Sequence, residues 1–258
     1  MANKETIAKT VAVALVLCIV CSLVVSSAAV LLKGQQDANK KLDRYSNILA
    51  AAGLLDPEEN IEEQYNRLIT AKVVDLDAGR YTDAVDAASF DQRRAAKDAN
   101  LSAALSADDD LAKISRRENY SMVYLVVTNG EIEKIILPVR GYGLWSTMRG
   151  FLALENDGNT IAGLGFSEHG ETPGLGGEID NPKWKALWPG KKVYQNGDVA
   201  VSLIKGSVTA GSANADYEVD GLAGATLTSR GVTNLVHFWL GEKGFQKFLN
   251  NLRLGEAG

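Results

Sequence analysis

From Thr10 to Leu32 the chain reads TVAVALVLCIVCSLVVSSAAVLL, 23 residues without a charged side chain. As an α-helix such a run rises about 34 Å, enough to cross the ~30 Å hydrocarbon core of a bilayer. It predicts one N-terminal transmembrane helix, with all that follows folding on a single side of the membrane. A cleaved signal peptide is the rival reading, because Ser26-Ser27-Ala28 offers a small-residue cleavage site. The apolar region of a signal peptide, however, runs only ~7–15 residues. Lys4 and Lys9 precede the run, while Lys33, Lys40, Lys41 and Arg44 follow it. Counted locally, these charges favour a cytoplasmic C-terminal side, although long domains are translocated largely regardless of flanking charge. The two cysteines of the chain, Cys18 and Cys21, both lie in this run and share a helix face at i,i+3. The segment beyond it therefore has no disulfide and no cysteine-ligated cluster. The pair reads as small apolar packing residues, the other reading being a metal centre shared with a partner protein.

Beyond the span, Gly34 to Gly53 turns from polar to amphipathic, with Leu42, Tyr45, Ile48 and Leu49 spaced for one helical face. This is a stalk helix stopped by Gly53. Asp56 to Arg117 leans helical and is charged. Its acidic clusters, Glu58-Glu59, Glu62-Glu63 and Asp108-Asp109-Asp110, read as solvated faces. At Tyr120 the texture changes. Met122–Thr128 and Ile132–Leu137 are β-branched runs joined by Asn129-Gly130, a strong hairpin signal. Phe151–Glu155 and Thr160–Phe166 flank Asn156-Asp157-Gly158-Asn159 as a second hairpin, and VAVSLIK at Val199–Lys205 is a further strand. Leu227–Leu240 carries Val232, Leu235, Val236, Trp239 and Leu240 at helical spacing. The expected fold class is α+β: a single transmembrane helix, then a mixed soluble domain with antiparallel hairpins. The segments are 1–33 as anchor, 34–118 as stalk helix and charged helical part, and 119–258 as the domain that carries function.

With 27 basic against 32 acidic residues and a net charge of -5, the chain has no cationic excess for a nucleic-acid backbone. Neither a dinucleotide GxGxxG nor a GxxxxGK[ST] loop is present; Gly174–Gly177 and Gly190-Lys191 match neither pattern. Glu168-His169-Gly170-Glu171 groups acid/base side chains but lacks the paired histidines of a zinc hydrolase, and no GxSxG accompanies it. The stretch DGLAGATLTSR, Asp220 to Arg230, is more informative. Its Gly-Ala pair permits close approach of another molecule, and Thr226 follows in what reads as a loop exposing a hydroxyl. Thr228 or Ser229 would cap the helix, whose free N–H groups and dipole favour a phosphate. A glycine-rich turn with an ordinary N-cap explains the same letters.

These letters also resemble the flavinylation motif of bacterial FMN-binding domains, in which an Asp is followed by Ser/Thr-Gly-Ala-Thr and a further Thr-Ser. Here the pattern stands as Asp220, then Ala223-Gly224-Ala225-Thr226, then Leu227-Thr228-Ser229. Ala223 departs from it by lacking a hydroxyl. Together with the N-terminal span, NILAAAGLL, GYGLWSTMRGFLAL at Gly141–Leu154 and EHGETPGLGGEI at Glu168–Ile179, the chain is similar along almost its whole length to the C subunits of Na+-translocating NADH:quinone reductases. The resemblance implies FMN joined through its phosphate to the Thr226 hydroxyl, with Gly224 and Ala225 beside it. Tyr142, Leu144 and Trp145 would offer apolar surface to the isoalloxazine, Gly141 and Gly143 allowing close approach. Glu171, Thr172, Pro173 and Leu175 would supply polar contacts and a wall, and Lys205 a positive charge. The resemblance further implies an electron relay from an iron-sulfur centre to the FMN of the B subunit and on to quinone, coupled to Na+ export. Partners would be the membrane-embedded B, D and E subunits, with a flavin transferase during maturation. The soluble domain would then be periplasmic, anchored in a bacterial inner membrane. The related G subunit of the Rnf-type electron-transport complex is the nearest alternative. A flavin-free membrane-anchored scaffold and a hydrolase using His169 and Glu171 are alternatives of other classes.

Overall fold

A computed structural model describes residues 6–209 and 211–258; Lys4, counted among the flanking charges, lies outside them. The chain divides into two compact units between Asp43 and Arg44. Helix α1, Ile7–Ala51, is continuous over 45 residues and long and apolar enough to cross a membrane. Its Val, Leu and Ile side chains from Ile7 to Leu32 are exposed, as are Cys18 and Cys21. The span and the expected stalk are thus one helix, which closes at Gly53 through bonds from the Gly53 and Leu54 amides to the carbonyls of Ala50 and Leu49.

The second unit follows with α2 (Ile61–Leu68), β1 (Ile69–Asp75), β2 (Arg80–Tyr81), α3 (Gln92–Ala95), β3 (Ser102–Ala104) and β4 (Arg116–Glu118). Then come β5 (Tyr120–Thr128), β6 (Glu131–Tyr142), β7 (Thr147–Glu155), β8 (Ile161–Glu168) and α4 (Pro182–Lys185). The chain ends with β9 (Tyr194–Gln195), β10 (Asp198–Val199), β11 (Ser202–Leu203), β12 (Glu218–Val219), α5 (Thr226–Leu240) and α6 (Gln246–Arg253). Its main sheet has six antiparallel strands in the order β2-β1-β5-β6-β7-β8. Both expected hairpins are present as β5–β6 and β7–β8, and β6–β7 forms a third between them.

Alternation along the strands gives the sheet two buried faces, as period-two side-chain geometry requires. Leu125, Ile135, Leu137, Leu152 and Leu154 face α5 and α6 with Leu235, Val236, Trp239 and Phe248. Ile136, Phe151, Ala153, Tyr124 and Val126 face Ile48, Leu49 and Ala51 at the end of α1 and Ala52 just after it, with Tyr65 of α2. Trp239 is fixed by donating its indole N–H to the Arg140 carbonyl at 2.7 Å.

Two expectations need correction. The helical lean read for Asp56–Arg117 is wrong for most of that stretch, which holds only α2 and the four-residue α3. Its Ile69–Asp75 instead pairs along seven residues with β5, because ITAKVV is a β-branched alternation. Several acidic residues hold turns: Asp75 accepts from the amides of Asp77 and Ala78, and Asp91 caps α3, while Glu62 and Glu63 lie in the first turn of α2. The single strand read at Val199–Lys205 is broken as well. Ala200 and Val201 both send their amides to the Val193 carbonyl, and only Ser202-Leu203 pairs onward, in parallel with β12.

Candidate functional site

Three segments meet at one end of the sheet: the β6–β7 loop at Gly143–Ser146, the loop after β8 from His169 to Gly177, and Asp220–Ala225 leading into α5. Glu171 joins them. It is only 4% exposed, and its carboxylate accepts from the amides of Leu144 at 3.1 Å, Trp145 at 3.0 Å and Ser146 at 3.4 Å. The other carboxylate oxygen accepts from the Thr228 hydroxyl on α5 at 2.6 Å. Burial pushes the Glu171 carboxyl up, but the Thr228 hydroxyl and the three amides outweigh it and hold the group below the ordinary value of 4.5. Two glycines make room for this node. A Cβ on Gly143 would stand 2.5 Å from Glu171 Oε1, and one on Gly176 would stand 2.5 Å from Thr228 Oγ1 and 2.9 Å from Glu171 Oε2.

The three hydroxyls of TLTS have three destinations. Thr228 is fully buried on Glu171. Ser229, also buried, accepts from the Leu222 amide at 3.0 Å and donates to the Ala225 carbonyl at 3.1 Å, bracing the preceding loop. Thr226 is the first residue of α5, exposed, and its hydroxyl has no partner among the described residues. The expectation that Thr228 or Ser229 caps the helix is therefore corrected: both lie inside it, facing the core. Ala225 occupies the N-cap position and can offer no side-chain acceptor. The amides of Thr226, Leu227 and Thr228 find no acceptor among the described residues.

The loop before Thr226 is pinned along its length. Val208 donates to the Asp220 carboxylate at 2.8 Å, Trp184 to the Asp220 carbonyl at 3.0 Å, and Gly221 to the Gly206 carbonyl at 3.0 Å. Gly224 takes φ +72°, with Leu175 Cδ2 only 3.1 Å from where a Cβ would stand. Around Thr226 the surface is apolar. Of the eight large hydrophobic side chains exposed beyond α1 among the described residues, five lie on these segments or directly beside them: Tyr142, Leu144, Trp145, Leu175 and Leu227. Such a concentration marks a binding surface rather than scattered exposure.

Residues 143–241 match the FMN-binding domain family, a stretch that runs from the β6–β7 loop to the end of α5. Over 261 aligned residues the chain is 58% identical to the C subunit of the Na(+)-translocating NADH-quinone reductase of Pseudomonas aeruginosa, covering the full length of both. The chain belongs to that family of C subunits. The corresponding protein of Vibrio vulnificus is 47% identical over 99% of each chain. The crystal structure of Shewanella oneidensis NqrC superposes with a TM-score of 0.77 at 35% identity, covering 84% of this chain and 99% of that one.

As a member of this family of oxidoreductase subunits, the chain has a site that suits FMN on its own geometry. Three open amides at the start of a 15-residue helix suit a phosphate, and the apolar rim suits a flat aromatic ring. The resemblance names Tyr142, Trp145, Thr172, Leu175, Gly224, Ala225 and Thr226, and all of them lie on these segments or at their immediate ends. Thr172 is exposed, and its carbonyl closes the turn by accepting from Leu175 and Gly177. Lys205 is exposed beside Gly206, whose carbonyl holds Gly221. Glu171 differs in kind from the others, because its oxygens are engaged by protein donors and it acts from beneath the loops. That engagement also leaves it poorly suited to the acid/base work of a hydrolase. Sequence reasoning does not single out Leu227, Thr228, Ser229 or Gly176 as site residues. Only the small-residue pattern of GLGG hints at the close approach Gly176 makes.

Proposed function

We propose that this subunit carries FMN as a phosphoester on Thr226 and relays electrons within the Na+-translocating NADH-quinone reductase. Electrons would pass from an iron-sulfur centre held by membrane partner subunits to the FMN of the B subunit and so to quinone, coupled to Na+ export. FMN supplies one-electron redox chemistry when bound. The chain's own work is to hold, orient and expose it. What carries the reading is that Thr226 is the one hydroxyl of the cluster left exposed and unbonded, at an uncapped helix start beside five exposed apolar side chains. The uncapped amides of α5 would take the phosphate oxygens. Leu144, Trp145, Leu175 and Leu227 would cover the ring, while Glu171 and Ser229 keep the loops from yielding.

A flavin transferase acting outside the inner membrane would make the phosphoester, so the second unit would be periplasmic and the N-terminus cytoplasmic. The full-length likeness to C subunits favours this complex over an Rnf-type one. The test is ultraviolet fluorescence of the full-length protein after denaturing electrophoresis, from cells that contain the transferase. A fluorescent band is expected, and it should vanish in Thr226→Val. An absent band in the parent protein, or one that survives the substitution, would overturn the reading in favour of a flavin-free scaffold or another attachment point.

A further inference from the structure

The EHGE stretch contains a histidine that the proposed function leaves without a task. Nδ1 of His169 accepts the Glu171 backbone N–H at 3.2 Å, and Nε2 lies 2.7 Å from Asp180 Oδ2. A backbone amide can only donate, so Nδ1 must be unprotonated; Nε2 then carries the hydrogen and gives it to Asp180. The bond from Glu171 back to His169 spans two residues and folds 169–171 into a tight turn. Within that turn the Gly170 amide is taken by the Ser146 hydroxyl at 2.6 Å. The turn directs the Glu171 carboxylate towards the amides of Leu144, Trp145 and Ser146 and the hydroxyl of Thr228.

We propose that His169, oriented by Asp180, is the positioning residue that fixes the Glu171 carboxylate beneath the loops of the flavin site. One imidazole nitrogen sets the backbone turn, the other sets the tautomer, and the ring is mostly shielded, its side chain 14% exposed. Without the Nδ1 acceptor the Glu171 N–H would have no partner, so the turn would lose its closing bond. The charged groups around the ring are Asp180, with Lys185 bound to it at 3.4 Å, and Glu171 itself.

The experiment is hydrogen exchange of the full-length protein in detergent at neutral pH, read at the amides of Leu144, Trp145 and Ser146. The Leu152 amide in β7 serves as a reference for global opening. In His169→Ala, protection of the three amides is expected to fall about tenfold, the scale of one hydrogen bond, while Leu152 is unchanged. His169→Asn keeps a side-chain acceptor, and an Asn side chain closes the same two-residue turn. It should retain wild-type protection. A His169→Ala protein as protected as wild type, or a His169→Asn protein as exposed as His169→Ala, would overturn the proposal. The role matters for function only if the flavin reading holds. The amides are read without flavin, so a bare Thr226 would defeat the proposed function while the positioning role stands or falls on exchange alone.

Discussion

Replacing Thr228 with valine removes one hydroxyl and little else, because the two side chains share a shape and the site is fully buried. The hydroxyl donates to Glu171 at 2.6 Å, and a hydrogen bond to a charged acceptor contributes ~1.5–3 kcal/mol. Glu171 keeps its three amide donors, so the carboxylate is not left bare, and the expected loss is about 2 kcal/mol. In a unit of roughly 200 residues each kcal/mol moves Tm by ~2–4 °C, so the variant should melt about 4–8 °C lower at neutral pH. The pH dependence has a defined sign. Glu171 is held below its ordinary 4.5 when folded, so its contribution is present above the unfolded value and is lost as pH falls through the folded one. Without the Thr228 hydroxyl the folded value moves back up. The gap between wild type and variant should therefore be full at neutral pH and narrow in the acid range below 4.5. Differential scanning calorimetry or fluorescence melting of detergent-solubilised protein from about pH 3 to about pH 8 measures this, and the covalent flavin band should be retained. A Tm within about 1 °C of wild type at neutral pH would refute the role given to this bond. Loss of the flavin band in Thr228→Val, with its survival in Thr226→Val, would move the attachment point to Thr228.

Gly176→Ala should be at least as damaging, since its methyl would stand 2.5 Å from Thr228 Oγ1 and 2.9 Å from Glu171 Oε2, both of them already fixed. Overpacking of this kind costs ~1–3 kcal/mol, read as a lowered denaturant midpoint with unchanged m. A cysteine placed at Asn39, exposed on α1, should be labelled by a membrane-impermeant reagent in intact spheroplasts. Labelling only after lysis of the inner membrane would defeat the periplasmic assignment.

Local signals are legible wherever they decide structure locally. The uncharged run from Thr10 to Leu32, the Asn129-Gly130 turn and the Val232/Leu235/Val236/Trp239 spacing each place an element that the fold contains. The stretch from Asp56 to Arg117 is different: it reads as helix-leaning with solvated charged faces, yet little of it is helical. Those charges instead hold turns together and pair at long range. Arg117, buried, meets Asp77 at 2.6 Å; just past the stretch, Glu118, fully buried, meets Arg140 of β6 at 2.5 Å and Gln92 at 2.6 Å. Nothing in the local sequence indicates that such a glutamate is interior, because the partner that stabilises it lies 22 residues away on another strand.

The site divides in the same way. Thr226 can be named because a short motif carries it, but Glu171 reaches Thr228 across 57 positions, a separation that no spacing rule describes. The mistaken cap is the more instructive case. A serine or threonine oxygen bonding the first turn of α5 would stabilise an isolated helix by ~1 kcal/mol over alanine, and TLTSR supplies the right residues for it. The fold turns Thr228 and Ser229 inward and puts Ala225 at the cap position, forgoing that stabilisation. Any side-chain oxygen there would occupy the amides that an anion needs. An uncapped helix beside an exposed, unbonded threonine is thus costly for an empty protein and favourable for one that carries a phosphoester at that residue.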